Sequence, residues 1–188
     1  HQLGFDSSWE GTLNENGDLD LSSEIADGRV NMGPLRISRF NGWAVTGIHG
    51  GNHTLQMQLE SGSANFMDVP IQNISLVGSY DSGVSNLMFR SGVSGMPDVV
   101  FAADLISSEE KQSFSANLTG DNLGMMLDYF EEATGHTKVI GPALIDSGAF
   151  TFTMDFEPDK RFVGGPLPFS LALNTAGNKT ILGNVLYY

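Results

Sequence analysis

Cysteine is absent from the 188 residues, and basic residues are few: nine Lys and Arg stand against 22 Asp and Glu, a formal net charge of -13. Without thiols the chain can form neither disulfides nor thiolate metal sites, and its redox compartment stays undetermined. The negative charge would repel a phosphate backbone and an anionic bilayer, so nucleic acid is not expected as a partner. No apolar run approaches the roughly 20 residues of a membrane-spanning helix.

The chain does contain regular alternation of apolar and polar residues. It is clearest in Phe150 to Phe156, and it returns in Leu55 to Glu60 and in Phe169 to Asn174. A period of two places apolar side chains on one face of a β-strand, and a sheet with one wet face is usually antiparallel. We therefore expect one all-β domain over residues 1–188: an antiparallel sandwich, barrel or curled meander of roughly 10–13 short strands.

Turn and helix signals refine this expectation. Asn14-Glu15-Asn16-Gly17 predicts a hairpin, and Asn41-Gly42 predicts a second one between the apolar runs Leu35 to Phe40 and Trp43 to Ile48. A single helix is predicted near residues 121–134, where apolar residues recur at spacings of three and four. Asp121 or Asn122 can cap its start and Gly135 its end.

Two motifs could carry chemistry, and neither is complete. Residues 14–20 have the alternating oxygen spacing of a calcium loop, but Gly17 comes two positions early for an EF-hand and no glutamate closes the loop. A plain turn is favoured, and whether calcium binds there stays open. Asp146-Ser147-Gly148 and Asp81-Ser82-Gly83 resemble the catalytic loop of aspartic proteases, and Ile181-Leu182-Gly183 resembles its supporting segment. Two carboxylates sharing one proton would be needed.

The chain is too short for two complete protease lobes, and Asp-Ser-Gly is also common turn chemistry. We accordingly expect a non-enzymatic protein without catalytic residues, cofactor or metal, and keep an aspartic hydrolase as an alternative. Many Gly, Ser, Asn and Asp residues and few lysines favour an extracytoplasmic location, whether secreted, cell-surface or periplasmic. Four Asn-x-Ser/Thr triplets, beginning at Asn52, Asn73, Asn117 and Asn178, are compatible with glycosylation.

The C-terminal segment is apolar and alternating. Ile181, Val185 and Tyr187 are predicted on one strand face, forming a candidate assembly strand. The segment resembles the last strand of chaperone-usher pilins, with Tyr187 in the place of their penultimate tyrosine, although the usual cysteine pair is missing. That resemblance implies assembly by strand complementation, in which the backbone of one subunit extends the sheet of another.

A second resemblance covers more of the chain. The order of Ser113 to Leu118, then Asp121 to Leu127, then Phe150 to Phe156 is similar to the strand, short helix and strand of AsmA and TamB-type envelope proteins. This resemblance implies a long, half-open sheet whose apolar face handles lipid acyl chains.

Besides the aspartic hydrolase, two function hypotheses remain. The preferred one is a structural or binding protein that assembles through exposed strand edges, as a surface filament, pilus or adhesin-type subunit does. Its partner would be a second copy of the chain or another envelope protein. The alternative is a lipid-handling envelope domain of the AsmA/TamB kind, with lipid as the partner.

Overall fold

The computed structural model describes residues 2–32, 35–66, 68–109, 112–135, 148–156, 169–175 and 178–184. They form one antiparallel sheet in which every strand pairs with its neighbours in sequence, and one helix between the eighth and ninth strands. The strands are β1 (Gln2–Leu13), β2 (Leu19–Met32), β3 (Leu35–His49), β4 (Asn52–Phe66), β5 (Val69–Asp81), β6 (Val84–Val93), β7 (Met96–Ser107), β8 (Gln112–Gly120), β9 (Phe150–Phe156), β10 (Phe169–Thr175) and β11 (Asn178–Asn184). The helix is α1 (Leu123–Thr134).

The predicted all-β class and antiparallel meander are confirmed. The 11-stranded sheet is open, because in the described residues β1 pairs with β2 alone and β11 with β10 alone. The predicted strands at residues 150–156, 55–60 and 169–174 lie in β9, β4 and β10. The expectation of short strands is wrong for the first half of the sheet, where β3 and β4 each have 15 residues.

The first predicted hairpin is confirmed, and the second is wrong. Residues 14–18 connect β1 to β2, but β3 runs straight through Asn41 and Gly42. Gly42 pairs with Ile25 on one side and with Leu59 on the other, so strand pairing on both edges keeps it extended. A side chain at Gly42 would also meet Leu59 and the backbone of Gln58, so glycine here permits close packing rather than a turn.

Bulges interrupt the simple alternation at the middle of the sheet. Between β2 and β3 the register shifts at Asp27, which has a φ of 51°. Between β5 and β6 it shifts at Asn73, with a φ of 52°. Asp and Asn tolerate this left-handed conformation better than most residues. The extra residue restores apolar side chains to one face, as Ile71 and Ile74 show: they lie three apart in β5, yet both belong to the same buried cluster.

Helix α1 covers one end of the apolar face. Leu123 and Met126 are buried in a cluster with strand residues that include Val69, Val93 and Phe150. The helix begins after Asn122, whose side chain accepts a hydrogen bond from the Met125 N–H at 3.0 Å. It ends at Gly135, which has a left-handed φ of 68°. The predicted helix and both of its caps are confirmed.

Candidate functional site

The apolar face of the sheet is the candidate site. Two adjacent rows of register partners cross it at right angles to the strands, with one residue from each strand. The first row, from β2 to β9, consists of Ile25, Gly42, Leu59, Leu76, Phe89, Ala103, Ala116 and Met154. The second row, from β1 to β8, consists of Trp9, Ser23, Ala44, Met57, Gly78, Leu87, Leu105 and Phe114. Directly paired residues share a face, so each row lies on one side of the sheet. None of the residues in either row is charged.

Side-chain contacts place these residues on the same side. Met57 and Leu87, from the strands on either side of β5, both lie where a side chain at Gly78 would project. In the first row, Phe89 packs edge-on against Phe101, with ring centroids 5.8 Å apart. Large side chains therefore lean over small ones, which gives a continuous apolar surface across the strands.

Among the residues that the structure describes, only part of this surface is covered. The cluster under α1 includes Val69, Val93 and Val99, at the strand ends nearest the helix. The second row lies farther along the strands and outside that cluster, where Met57 and Leu87 are half-buried. Toward the β1 edge the exposure rises, to 52% for Trp9 and 72% for Leu13. We call the first and second rows together the open apolar face.

The opposite face is polar. Between the two apolar rows, the register row on that side consists of Ser8, Glu24, Trp43, Gln58, Val77, Met88, Asp104, Ser115 and Asp155. The Ser115 hydroxyl donates to the Asp155 carboxylate at 2.6 Å, and the Gln58 amide donates to Glu60 at 2.7 Å. We call this side the polar face. The polar face carries the charged side chains that the two apolar rows lack, but it also exposes apolar side chains at Trp43 and Met88.

The arrangement suits binding rather than catalysis. The two rows contain no acid or base, and their one hydroxyl, that of Ser23, donates to the Glu24 carbonyl at 3.3 Å, so these rows are suited to excluding water and contacting hydrocarbon. The resolved pKa shifts lie elsewhere. Desolvation raises the pKa of Tyr129, on α1. Hydrogen bonds from Asn14 and Gly50 lower the pKa of Asp18, in the β1–β2 turn.

The loop with calcium-like spacing is an ordered turn. The Asn14 side-chain oxygen accepts from the N–H groups of Asn16 and Asp18, each at 2.9 Å. The Asp18 carboxylate accepts from the Asn14 amide at 2.9 Å and from the Gly50 N–H at 3.0 Å. These bonds tie the β1–β2 turn to the β3–β4 turn. The described residues contain no group of three or more His, Asp or Glu placed to hold a metal ion.

Of the two motifs that resemble an aspartic-protease loop, the structure describes Asp81-Ser82-Gly83 in full and only Gly148 of the other. Asp81 ends β5, and Ser82 and Gly83 form the β5–β6 turn with φ values of 47° and 94°. The Ser82 hydroxyl donates to Asp81 at 2.8 Å, as turn chemistry predicts. Asp146 lies outside the described residues.

The candidate assembly residues are described in part. Ile181 lies in β11 and pairs with Ala172 of β10, while Val185 and Tyr187 lie outside the described residues. Sequence reasoning did not single out the residues of the open apolar face. The alternation of Leu55, Met57 and Leu59 was the available signal, but the bulges hid its continuation into neighbouring strands.

No family model matches the chain, and no curated protein or solved structure was found to be similar to it. Among the helices of the described residues, none has the length and apolar character needed to span a membrane.

Proposed function

We propose that this protein binds lipid acyl chains along the open apolar face, in an extracytoplasmic setting. The observation that carries the proposal is the pair of apolar rows, because they join residues from successive strands into one surface without a charged side chain. The similarity in layout to AsmA and TamB-type proteins supports the same class of ligand.

The dimensions of the face suit an acyl chain. Steps of about 4.8 Å between strands give the first row, from β2 to β9, a span of about 34 Å. One acyl chain occupies half of a bilayer hydrocarbon core about 30 Å thick, or about 15 Å. A chain can therefore lie along the row with room to spare.

The energetics favour an apolar occupant. Each methylene removed from water contributes about 0.8 kcal/mol, so even partial burial of an acyl chain gives several kcal/mol before the cost of association. Extended apolar patches on soluble proteins commonly mark binding surfaces. The acidic character of the chain disfavours anionic headgroups, so zwitterionic or neutral lipids fit best.

Displacement of a neutral fluorescent probe tests the proposal. N-phenyl-1-naphthylamine should bind the protein with enhanced fluorescence, and myristoyl lysophosphatidylcholine should displace it below its micelle-forming concentration. The double variant Met57→Gln/Leu87→Gln places two amides in the second row, on either side of Gly78. It should weaken both probe and lipid binding by about tenfold, because the desolvation of two amides opposes an apolar ligand.

The matched control changes the polar face of the same strands. Val77 and Met88 are register partners on β5 and β6, each adjacent in sequence to a residue of the open apolar face. The variant Val77→Gln/Met88→Gln should bind the probe as the unaltered protein does. Failure of the unaltered protein to bind, or equal losses in two folded variants, would refute lipid binding at this face.

A second candidate function is assembly through strand edges. The supporting observation is that β1 and β11 each have one pairing partner in the described residues, which leaves one edge of each strand unpaired. Such edges can add a strand from another chain through backbone hydrogen bonds. The polymer would be a surface filament or adhesin-type assembly.

Sedimentation velocity over a range of concentrations tests this candidate. Replacing Ile181, Val185 and Tyr187 with lysine should abolish concentration-dependent polymers, because three charged side chains would have to be buried at every junction. A chain that stays monomeric at every concentration, or polymers unaffected by the three lysines, would exclude assembly through this strand.

A further inference from the structure

The polar face contains a depression whose lining lies mostly outside the open apolar face, although Ile25 and Gly42 of the first row also contribute to it. It lies where the bulges of β2 and β5 bend the sheet, and it has a volume of about 1130 Å³. Its lining includes Glu24, Arg39, Asn41, Trp43, Gln58 and Glu60. We call it the polar depression. Ligand sites commonly have volumes of about 300 to 1,000 Å³, so its size suits several linked rings.

Trp43 lies between two polar side chains at this site. Its register partners are Glu24 on β2 and Gln58 on β4, and Trp43 is 41% exposed. Neither the Trp43 indole N–H nor the Glu24 carboxylate makes a hydrogen bond within the part of the chain that the structure describes. A flat aromatic surface, a free donor and a free acceptor therefore adjoin one another.

The polar groups around Trp43 form an ion pair and hydrogen bonds with one another. Arg39 forms an ion pair with Asp27 at 3.0 Å, and the Asp27 N–H donates to the Asn41 side chain at 3.1 Å. The Gln58 amide donates to Glu60 at 2.7 Å. Because all three contacts are exposed to solvent, they favour one arrangement of the rim without fixing it.

We propose that the polar depression binds a neutral oligosaccharide. A pyranose ring has an apolar C–H face that can stack on Trp43 and hydroxyl groups that can pair with Glu24 and Gln58. The charge balance favours a neutral sugar: Glu24 and Glu60 are acidic, and the guanidinium of Arg39 is paired with Asp27. Anionic ligands such as sulfated sugars or phosphates would meet repulsion.

Isothermal titration calorimetry with chitotetraose and cellotetraose tests the proposal. At least one of these neutral sugars should bind saturably to the unaltered protein. Trp43→Ala should weaken that binding by about tenfold, the effect expected from loss of aromatic stacking, and Trp43→Phe should restore part of it. Glu24→Ala should also weaken binding, because it removes a free acceptor.

Fluorescence of the Trp9→Phe variant gives a second readout, since the sequence has two tryptophans and this change leaves Trp43 alone. Its emission should change on titration with the bound sugar. No saturable binding of either sugar, equal affinity in Trp43→Ala, or preference for a heparin-derived tetrasaccharide would overturn the proposal. The Met57→Gln/Leu87→Gln variant should retain sugar binding, so failure of the lipid proposal and failure of this one are separate results.

Discussion

The ring of Phe40 lies where a side chain at Gly28 would project, and the two residues are register partners on β3 and β2. Both are buried, and the bulge at Asp27 places Gly28 beneath the ring. Gly28→Ala should therefore destabilise the protein by about 1 to 3 kcal/mol, since the ring can move only by disturbing its neighbours. The midpoint of urea unfolding should fall without a change in slope.

Gly62→Ala is the control for this prediction. Gly62 lies in β4, where an added Cβ would meet no atom within 4 Å and the backbone does not have a positive φ. The change should stay within about 0.5 kcal/mol. Equal losses in the two variants would show that glycine flexibility, rather than the Phe40 ring, decides the cost.

Trp9 and Trp43 are expected to serve different ligands. Trp9 pairs with Ser23 and Trp43 pairs with the next residue, Glu24, so the two indoles lie on opposite faces of the sheet. Trp9→Ala should weaken lysophosphatidylcholine binding and leave sugar binding unchanged, and Trp43→Ala should do the reverse. Parallel titrations of both variants with both ligands measure this. Loss of both activities in either variant would indicate general damage to the fold.

The helix cap offers a test of how α1 is held on the sheet. Asn122→Ala removes the acceptor for the Met125 N–H and should cost about 1 kcal/mol. Asp121→Ala, one residue earlier and exposed, should have little effect because the observed cap is Asn122. Urea unfolding of the two variants checks the Asn122 cap that the structure shows, where the sequence had left Asp121 and Asn122 as alternatives.

Local pattern predicted the parts of the fold that local forces determine. The alternation in residues 150–156 predicted β9, and the apolar spacing with Gly135 predicted α1. The sequence pattern gave a wrong prediction where pairing with neighbouring strands determines the backbone conformation. Asn41-Gly42 has the composition of a hairpin turn, yet strands on both sides hold it extended.

The open apolar face could not be predicted in full for the same reason. In β5 the bulge at Asn73 lies between Ile71, which is buried under α1, and Leu76 of the first row, so these apolar residues do not have the spacing expected for one face of a regular strand. The position of such a bulge depends on how the strand pairs with its neighbour. The sequence of one strand alone does not reveal that pairing. The polar depression depends on the same bulges, so its lining residues were also missed.

The β1–β2 turn should make stability depend on acid. Hydrogen bonds from Asn14 and Gly50 hold the pKa of Asp18 below its ordinary value of 3.8. An acid with a lowered pKa in the folded state stabilises the fold above its unfolded pKa, and this contribution is lost as the pH falls through the folded value. Asp18→Asn should accordingly be less stable than the unaltered protein at pH 7.

The difference in thermal midpoint between the two proteins should shrink as the pH is lowered below about 3.8, because protonation removes the same charge from the unaltered protein. Glu15→Gln removes one charge from the same turn and is the control. The Glu15 side chain makes no hydrogen bond within the described residues, so this variant should differ little from the unaltered protein at either pH. A difference for Asp18→Asn that does not shrink at any acid pH at which both proteins stay folded would mean that the amide disturbs the turn by its shape, and that the carboxylate charge does not secure the link to Gly50.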